Sequence, residues 1–340
     1  MWVEIICGLI IYQLFRRFFY DDDVLDVETA DSDSLFPVAA RLEKLYGGKA
    51  YVGLRIPDAD SGSRQTIDMV HVTKGEAVVI SIQNLSGFVS IDGDGSWVSA
   101  GRSSHKTDRR PDPVAEVKRQ VAILESYLEQ RGAPLPEGYL SYRVICPNPN
   151  FRSHSPISER CNMPNQTNAS TMYADHFPPE VLTYDQWQQL KPEPKSLFSG
   201  WIKGSLRGGK KEMQESMHQN LNFIIATSPT WDRLELKGDK YLLGEFLEFK
   251  GKHDDIQSLK NIRRSKINRL VIQKTSMFGL AHSKLQVLYS PRDYRNDGAS
   301  ASEWNEATVR SSTEVVFQLQ ESTKVRKFKL SSVSSMSLSA

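Results

Sequence analysis

Apolar residues fall into short blocks with a period near two between residues 51 and 100, and this spacing predicts a half-buried sheet. Residues 64–72, RQTIDMVHV, place Ile67, Met69, Val70 and Val72 in one strand, and residues 77–82, AVVISI, make a second. Lys74-Gly75-Glu76 supplies the turn between them. Residues 51–56 read as an earlier strand followed by a polar loop, and residues 88–92 and 97–100 as a hairpin across Gly93-Asp94-Gly95.

Helical spacing flanks this block on both sides. Val38, Leu42 and Leu45 form one stripe, with Ser34 as the expected cap, Pro37 in the first turn and Gly47-Gly48 as the stop. Asp112-Pro113 opens a second helix in the favoured manner, Val117, Val121, Leu124 and Leu128 make its stripe, and Gly132 closes it. Residues 139–146 form one more strand, and residues 102–110 a basic loop. The order helix, strands, helix, strand predicts a small α/β sandwich with a mixed sheet.

Beyond it the pattern changes. Residues 148–180 are rich in Pro, Asn and Ser and read as a linker, and residues 181–230 as an irregular helical connection. From residue 231 short strands recur at 233–237, 241–250, 268–274, 284–289, 315–320 and 324–330, which predicts a separate small β-rich domain, a barrel or a sandwich, over residues 231–330. The closing SSVSSMSLSA, residues 331–340, reads as a disordered tail.

The first 20 residues, MWVEIICGLIIYQLFRRFFY, are the most hydrophobic segment. The run from Trp2 to Leu14 reaches the roughly 20 residues of a bilayer span when Phe18, Phe19 and Tyr20 extend it past Arg16 and Arg17. Residues 2–20 are therefore expected to be an uncleaved membrane anchor with the body of the protein in the cytosol, against the alternative of a helix docked on the protein's own core. Acidic residues 21–34 would be a tether, and residues 35–147 the first folded domain.

Charge adds an asymmetry to this division. Residues 1–190 carry 18 Lys/Arg and 25 Asp/Glu, and residues 191–340 carry 25 and 16, so a near-neutral chain has an acidic front half and a basic back half. Lys260, Arg263, Arg264 and Lys266 concentrate that basicity and are the candidate nucleic-acid contacts, although a solvated β-domain accounts for such residues equally well. Cys7, Cys146 and Cys161 show no paired or zinc-like spacing, which excludes a disulfide scaffold and suits a reducing compartment. Asn165 and Asn168 match the short glycan acceptor pattern, and Gly208-Gly209-Lys210-Lys211 lacks the spacing of a phosphate-binding loop.

Asp68 is the residue that asks for an explanation, since a carboxylate inside an apolar strand is costly to bury unless hydrogen-bonded, paired or metal-bound. Donors from the backbone or from Arg64 would give it a structural role. Ile67-Asp68, the turn Thr73-Lys-Gly-Glu76, Val79-Ile80 leading to Asn84-Leu-Ser-Gly87, and the Asp112-Pro113 helix together resemble the NERD family, the nuclease-related domain of the restriction-endonuclease-like PD-(D/E)xK group, over residues 35–146. The resemblance implies a restriction-endonuclease-like mixed sheet flanked by helices. It also implies an Mg²⁺ site made by the strand aspartate and a glutamate on the next strand, with a lysine two residues further on that positions the attacking water.

Carried over by position, the aspartate is Asp68, the glutamate falls on Ser81 and the lysine on Gln83. The departure removes one metal ligand and the ionisable amine. Glu116 stands where the second helix of the family often has a glutamine. Three readings follow: a degenerate nuclease-like domain acting by binding, with no cofactor; an active Mg²⁺ nuclease whose missing carboxylate is replaced by Asp92, Glu76 or Glu43; or a protein-interaction module with no nucleic-acid role. His71, an odd number of residues from Asp68, is expected on the opposite sheet face, and Trp97 and Phe88 in packing rather than base stacking.

Overall fold

The structure, a computed structural model, describes residues 32–100, 107–153, 177–191, 215–274, 284–292, 304–320 and 322–339. Residues 2–20, Asn165, Asn168, residues 208–211 and the tether up to residue 31 lie outside the described residues. Among the described residues no helix is long and apolar enough to cross a membrane.

Helix α1 (Ser32–Tyr46) begins ahead of the expected cap at Ser34, so Pro37 lies inside it rather than in its first turn. Asp33 accepts a hydrogen bond from the Tyr241 amide at 3.1 Å, a contact far away in sequence that anchors the first turn. Gly48 then turns the chain at a φ of 74°, where an added Cβ would meet the Val72 carbonyl oxygen at 2.1 Å. Next come β1 (Lys49–Pro57), β2 (Arg64–Val72), β3 (Ala77–Ile82), β4 (Gly87–Ile91), β5 (Trp97–Ala100) and β6 (Thr107–Arg110). The described part of the expected basic loop is thus an edge strand.

Helix α2 (Pro113–Gln130) starts where Asp112 accepts from the Val114 amide at 2.9 Å, and it leads to β7 (Leu140–Ile145). The main sheet has the order β1-β2-β3-β7 and closes with β9 (Val181–Leu182); its first three strands are antiparallel, and β7 runs parallel to both β3 and β9. A smaller sheet, β6-β5-β4-β8, is completed by β8 (Phe151–Ser153). Helices α3 (Tyr184–Gln189) and α4 (Glu215–Ala226) follow. Val117 and Leu124 of α2 and Leu221 and Ile225 of α4 share one core with Val70, Val79 and Val144. On the other face, Leu35, Val38 and Leu42 of α1 and Trp187 of α3 pack on Met69, Val78 and Ile80.

Two expected boundaries therefore move. The described residues of 148–180 belong to the first domain, since β8 pairs with β4 and Phe177 meets Trp97 edge-on at 5.0 Å. The described residues of 181–230 also belong to it: β9, Trp187 and α4 contribute to the same two cores. Their apolar residues are too few per element to announce a fold locally, and only partners distant in sequence give them a place.

The second domain is one antiparallel sheet of eight strands: β10 (Asp232–Leu236), β11 (Lys240–Lys250), β12 (Ile267–Lys274), β13 (Lys284–Pro291), β14 (Asn305–Arg310), β15 (Glu314–Leu319), β16 (Val325–Lys329) and β17 (Val333–Ser337). Helix α5 (His253–Leu259) sits between β11 and β12 in sequence. The spatial order is β14-β13-β12-β17-β10-β11-β15-β16. The expected disordered tail is thus a central strand, paired with β10 and β12 and burying Val333, Met336 and Leu338. Its serines mask this at the level of composition, because small hydroxyl side chains still allow a strand when both neighbours supply backbone partners.

The domains are joined by backbone. The Arg55 amide donates to the Pro229 carbonyl at 2.7 Å and the Trp231 amide to the Gly53 carbonyl at 2.9 Å, with a Leu54–Thr230 bridge between them. Gly53, at a φ of 69°, lets this happen: a Cβ there would stand 3.1 Å from Leu243 of β11.

Removal of residues 331–340, harmless for a tail, is predicted to split the second sheet at its centre. Circular dichroism and thermal melting should show loss of the cooperative β transition, and an unchanged melt would remove β17 from the core.

Candidate functional site: a closed carboxylate at the break in the β2–β3 ladder

The β2–β3 ladder runs from the Val72–Ala77 pair to the Met69–Ile80 pair, and Asp68 is the next residue along β2. Its Oδ2 accepts from the Ile82 amide at 2.9 Å and from the Ser81 hydroxyl at 3.3 Å. Gln83 Nε2 in turn donates to Ser81 Oγ at 3.1 Å. The three positions singled out from the sequence therefore meet, as one hydrogen-bonded relay from amide to hydroxyl to carboxylate. Alternation explains the meeting: Val79, Ser81 and Gln83 share the face of β3 that looks toward α2.

Gln120 is a polar residue that the sequence pattern did not single out. It lies in the α2 stripe between Val117 and Leu124, is 4% exposed, and its Oε1 has no hydrogen-bond partner. A glutamine flanked at helical spacing by Val117, Ile123 and Leu124 was the available signal.

The Asn84-Leu-Ser-Gly87 stretch is a joint between the two sheets of the first domain. Asn148 donates to Asn84 Oδ1 at 3.0 Å, Leu85 is buried, and Gly87, at a φ of 90°, donates its amide to the Asn150 carbonyl. The Thr73–Glu76 turn lies at the far end of the hairpin from Asp68, closed by Thr73–Glu76 hydrogen bonds and by the Tyr139 hydroxyl donating to the Thr73 carbonyl at 2.6 Å. Burial, and next the charge of Glu76, push the Tyr139 hydroxyl up to about 12.

The three substitute carboxylates are engaged elsewhere. Glu76 belongs to that far turn, Asp92 pairs with Arg109 at 3.2 Å in the β4–β5 hairpin, and Glu43 accepts from the Ala50 amide on α1's side of the sheet. Among the described residues no three Asp, Glu, His or Cys side chains gather as a metal site. The donor set at Asp68 does not fit Mg²⁺: it offers one carboxylate, already accepting a backbone amide and a hydroxyl, beside a hydroxyl and an amide of no charge. His71 stands apart from it; its Nε2 is 2.8 Å from the Gly47 carbonyl, a contact made by the neutral ring as donor.

In the second domain the four basic candidates separate. Arg264 is a structural ion pair: its Nε and Nη2 reach Asp232 Oδ2 at 2.8 and 2.6 Å and its Nη1 reaches Glu245 Oε1 at 2.5 Å. Burial lowers the guanidinium's affinity for its proton, and the two carboxylates outweigh that and hold it above its ordinary value. Arg264 is thereby withdrawn from the expected nucleic-acid contacts. Lys260, Arg263 and Lys266 are exposed and pair with no described acid. Lys260 and Arg263 line a groove of about 360 Å³ with Phe246 and Phe249, whose rings are 4.8 Å apart.

A mixed sheet with a carboxylate at a ladder break, and a helix crossing from one strand to a parallel neighbour, is the framework of a nuclease-like α/β domain. Residues 33–146 match the family model of the nuclease-related domain, NERD. The match ends at Cys146, whereas β9, α3 and α4 complete the same domain beyond it. No curated protein and no solved structure matches the chain.

Asp68→Ala should destabilise the protein by about 1–3 kcal/mol in urea unfolding, because the Ile82 amide and Ser81 hydroxyl lose their acceptor. A stabilising effect would mark Asp68 as a strained charge instead. The second prediction concerns His71, whose folded value is lowered from 6.5 mainly by burial. The folded state then binds its proton less readily than the unfolded chain, so this contribution is complete above pH 6.5 and is lost as the pH falls below it. Melting curves between pH 7.5 and 5.5 should fall less steeply for His71→Gln than for the parent.

Proposed function

We propose that the nuclease-related domain is catalytically degenerate and that the protein acts by binding, with nucleic acid as its ligand class. The observation that carries this reading is the relay from Gln83 through Ser81 to Asp68. Hydrolysis in the PD-(D/E)xK manner needs a second carboxylate and a group that exchanges a proton near neutral pH. Ser81 supplies a donor in place of the first, and the Gln83 amide cannot do the work of the second.

Binding needs less, a cationic surface and something for bases to stack on. Lys260, Arg263 and Lys266 offer the first, on the half of the chain with the basic excess, and the half-buried ring of Phe249, backed by the buried Phe246, offers the second. Residues 2–20 extend the proposal: as an anchor they would hold the two domains at the cytosolic side of a membrane.

The full chain incubated with DNA or RNA in Mg²⁺ or Mn²⁺ should leave the nucleic acid intact and bind it with an affinity that falls steeply with salt. Replacing Lys260, Arg263 and Lys266 by alanine should flatten the logarithmic salt slope by about 0.7–0.9 for each phosphate that is no longer neutralised. Metal-dependent cleavage abolished by Asp68→Ala would overturn degeneracy. Absence of salt-dependent binding would overturn the nucleic-acid reading in favour of a protein partner.

A further inference from the structure

Where the two domains meet, α1, β1, the end of α4 and strands β10 and β11 enclose a cleft of about 660 Å³. That volume lies in the range of small-molecule sites, which favour domain interfaces and combine apolar walls with a few convergent polar groups. Its aromatic lining is Phe36, Tyr51, Trp231 and Tyr241, and its charged groups are Arg233 and Glu43.

Arg233 is the residue that points to a ligand. It is half-buried, no described carboxylate pairs with it, and its described contacts are the Ser337 hydroxyl at 3.5 Å and the face of Phe36 at 5.1 Å. Arg264, by contrast, is claimed by two carboxylates, and Arg292 by three backbone carbonyls, whereas Arg233 has one long hydroxyl contact and a ring face. A half-buried cation without an anion favours an anionic ligand, and the planar fork of arginine suits a phosphate or carboxylate.

The walls narrow the class further. Trp231 is held by its indole N–H on Thr66 Oγ1 at 3.3 Å and by the Arg55 guanidinium 3.9 Å over its ring, and it still lines the cleft. Tyr51 is fixed by its hydroxyl on Asn222 Oδ1 at 2.7 Å. Rigid aromatic surfaces favour a flat ligand, whose stacking asks for no reordering of the site. Glu43 uses Oε1 on the Ala50 amide, which leaves Oε2 as an acceptor for ligand hydroxyls.

We infer that this cleft binds a small aromatic anion of the nucleoside monophosphate class, with the phosphate at Arg233, the base against the aromatic wall and the sugar hydroxyls toward Glu43. The site is separate from Asp68 and from the basic groove, and does not depend on either.

Calorimetric titration of the full chain with the ribonucleoside monophosphates, the matching nucleosides and inorganic phosphate tests it. At least one monophosphate should bind saturably. Arg233→Gln should weaken it by about tenfold or more, the loss expected of a charge-assisted contact, with little change in nucleoside affinity. Ala40→Trp, on an exposed helical position at the cleft's lining, should abolish binding while leaving the melting temperature intact. Failure of every monophosphate to bind, or equal binding to parent and Arg233→Gln, would overturn the inference; both outcomes leave the nucleic-acid reading to its own test.

Discussion

A carboxylate inside a β-sheet must be met by donors, and each domain of this protein holds one that is: Asp68, half-buried, in the first and Asp232, fully buried, in the second. Asp232 is 0% exposed and is the more demanding case. Its Oδ2 accepts from the Phe246 amide at 2.7 Å and from two nitrogens of Arg264, and its Oδ1 accepts from the Ser339 amide at 2.7 Å. One side chain thereby ties the first strand of the second domain to β11, to the segment after α5 and to the end of the chain. Breaking such a pair costs more than forming it yields, since the surviving charge is left buried and alone. The node therefore fixes positions more than it adds stability. Arg292 reinforces it by donating to the Arg264, Ile267 and Leu338 carbonyls, so the strand that looked like a tail is held at both its edge and its end.

Asp68 answers the same constraint with fewer resources, and the difference bears on function. In a metal-dependent site two neighbouring carboxylates repel until a cation joins them, and the domain is fully settled only with the metal bound. Ser81 reverses that relation. It donates to Asp68 instead of repelling it, while Gln83 steadies the hydroxyl and the Ile82 amide occupies the same oxygen. The carboxylate becomes part of the backbone pairing at the point where the β2–β3 ladder stops. A carboxylate held in this way has its donors within the protein, and this is the physical ground of the proposal that the site is degenerate.

Local features were legible in the sequence, and features that depend on distant partners were not. The strands on either side of the Lys74-Gly75-Glu76 turn and the Asp112-Pro113 helix start follow from period and capping chemistry, and the structure has them as β2, β3 and α2. Strand β9, of two residues, and β8, of three, are too short to carry a period and exist because β7 and β4 offer them parallel edges. Strand β17 hides behind its serines. In the basic run, spacing alone could not separate Arg264 from Arg263, because the acid that claims Arg264 stands 32 residues away. The candidate site shows the same division: position in the sequence singled out Asp68, Ser81 and Gln83 as a group, but that Ser81 points its hydroxyl at Asp68 is a fact of register.

The junction between the domains draws these threads together. β1 is the outer strand of the main sheet, and an open edge of that kind invites pairing with another chain. Residues 229–231 cover part of that edge with backbone hydrogen bonds, and Gly53 removes the side chain that would hold Leu243 away. Leu243 can then enter the core beneath α1, and Asp33 can hold the Tyr241 amide, so α1 is gripped by both domains. Between these contacts lies the aromatic cleft, and its walls are fixed from behind: Trp231 across the junction by Thr66 and Arg55, Tyr51 within the first domain by Asn222. The rigidity that closes the sheet edge is therefore the same rigidity that presents Arg233, with no described carboxylate of its own, to whatever enters.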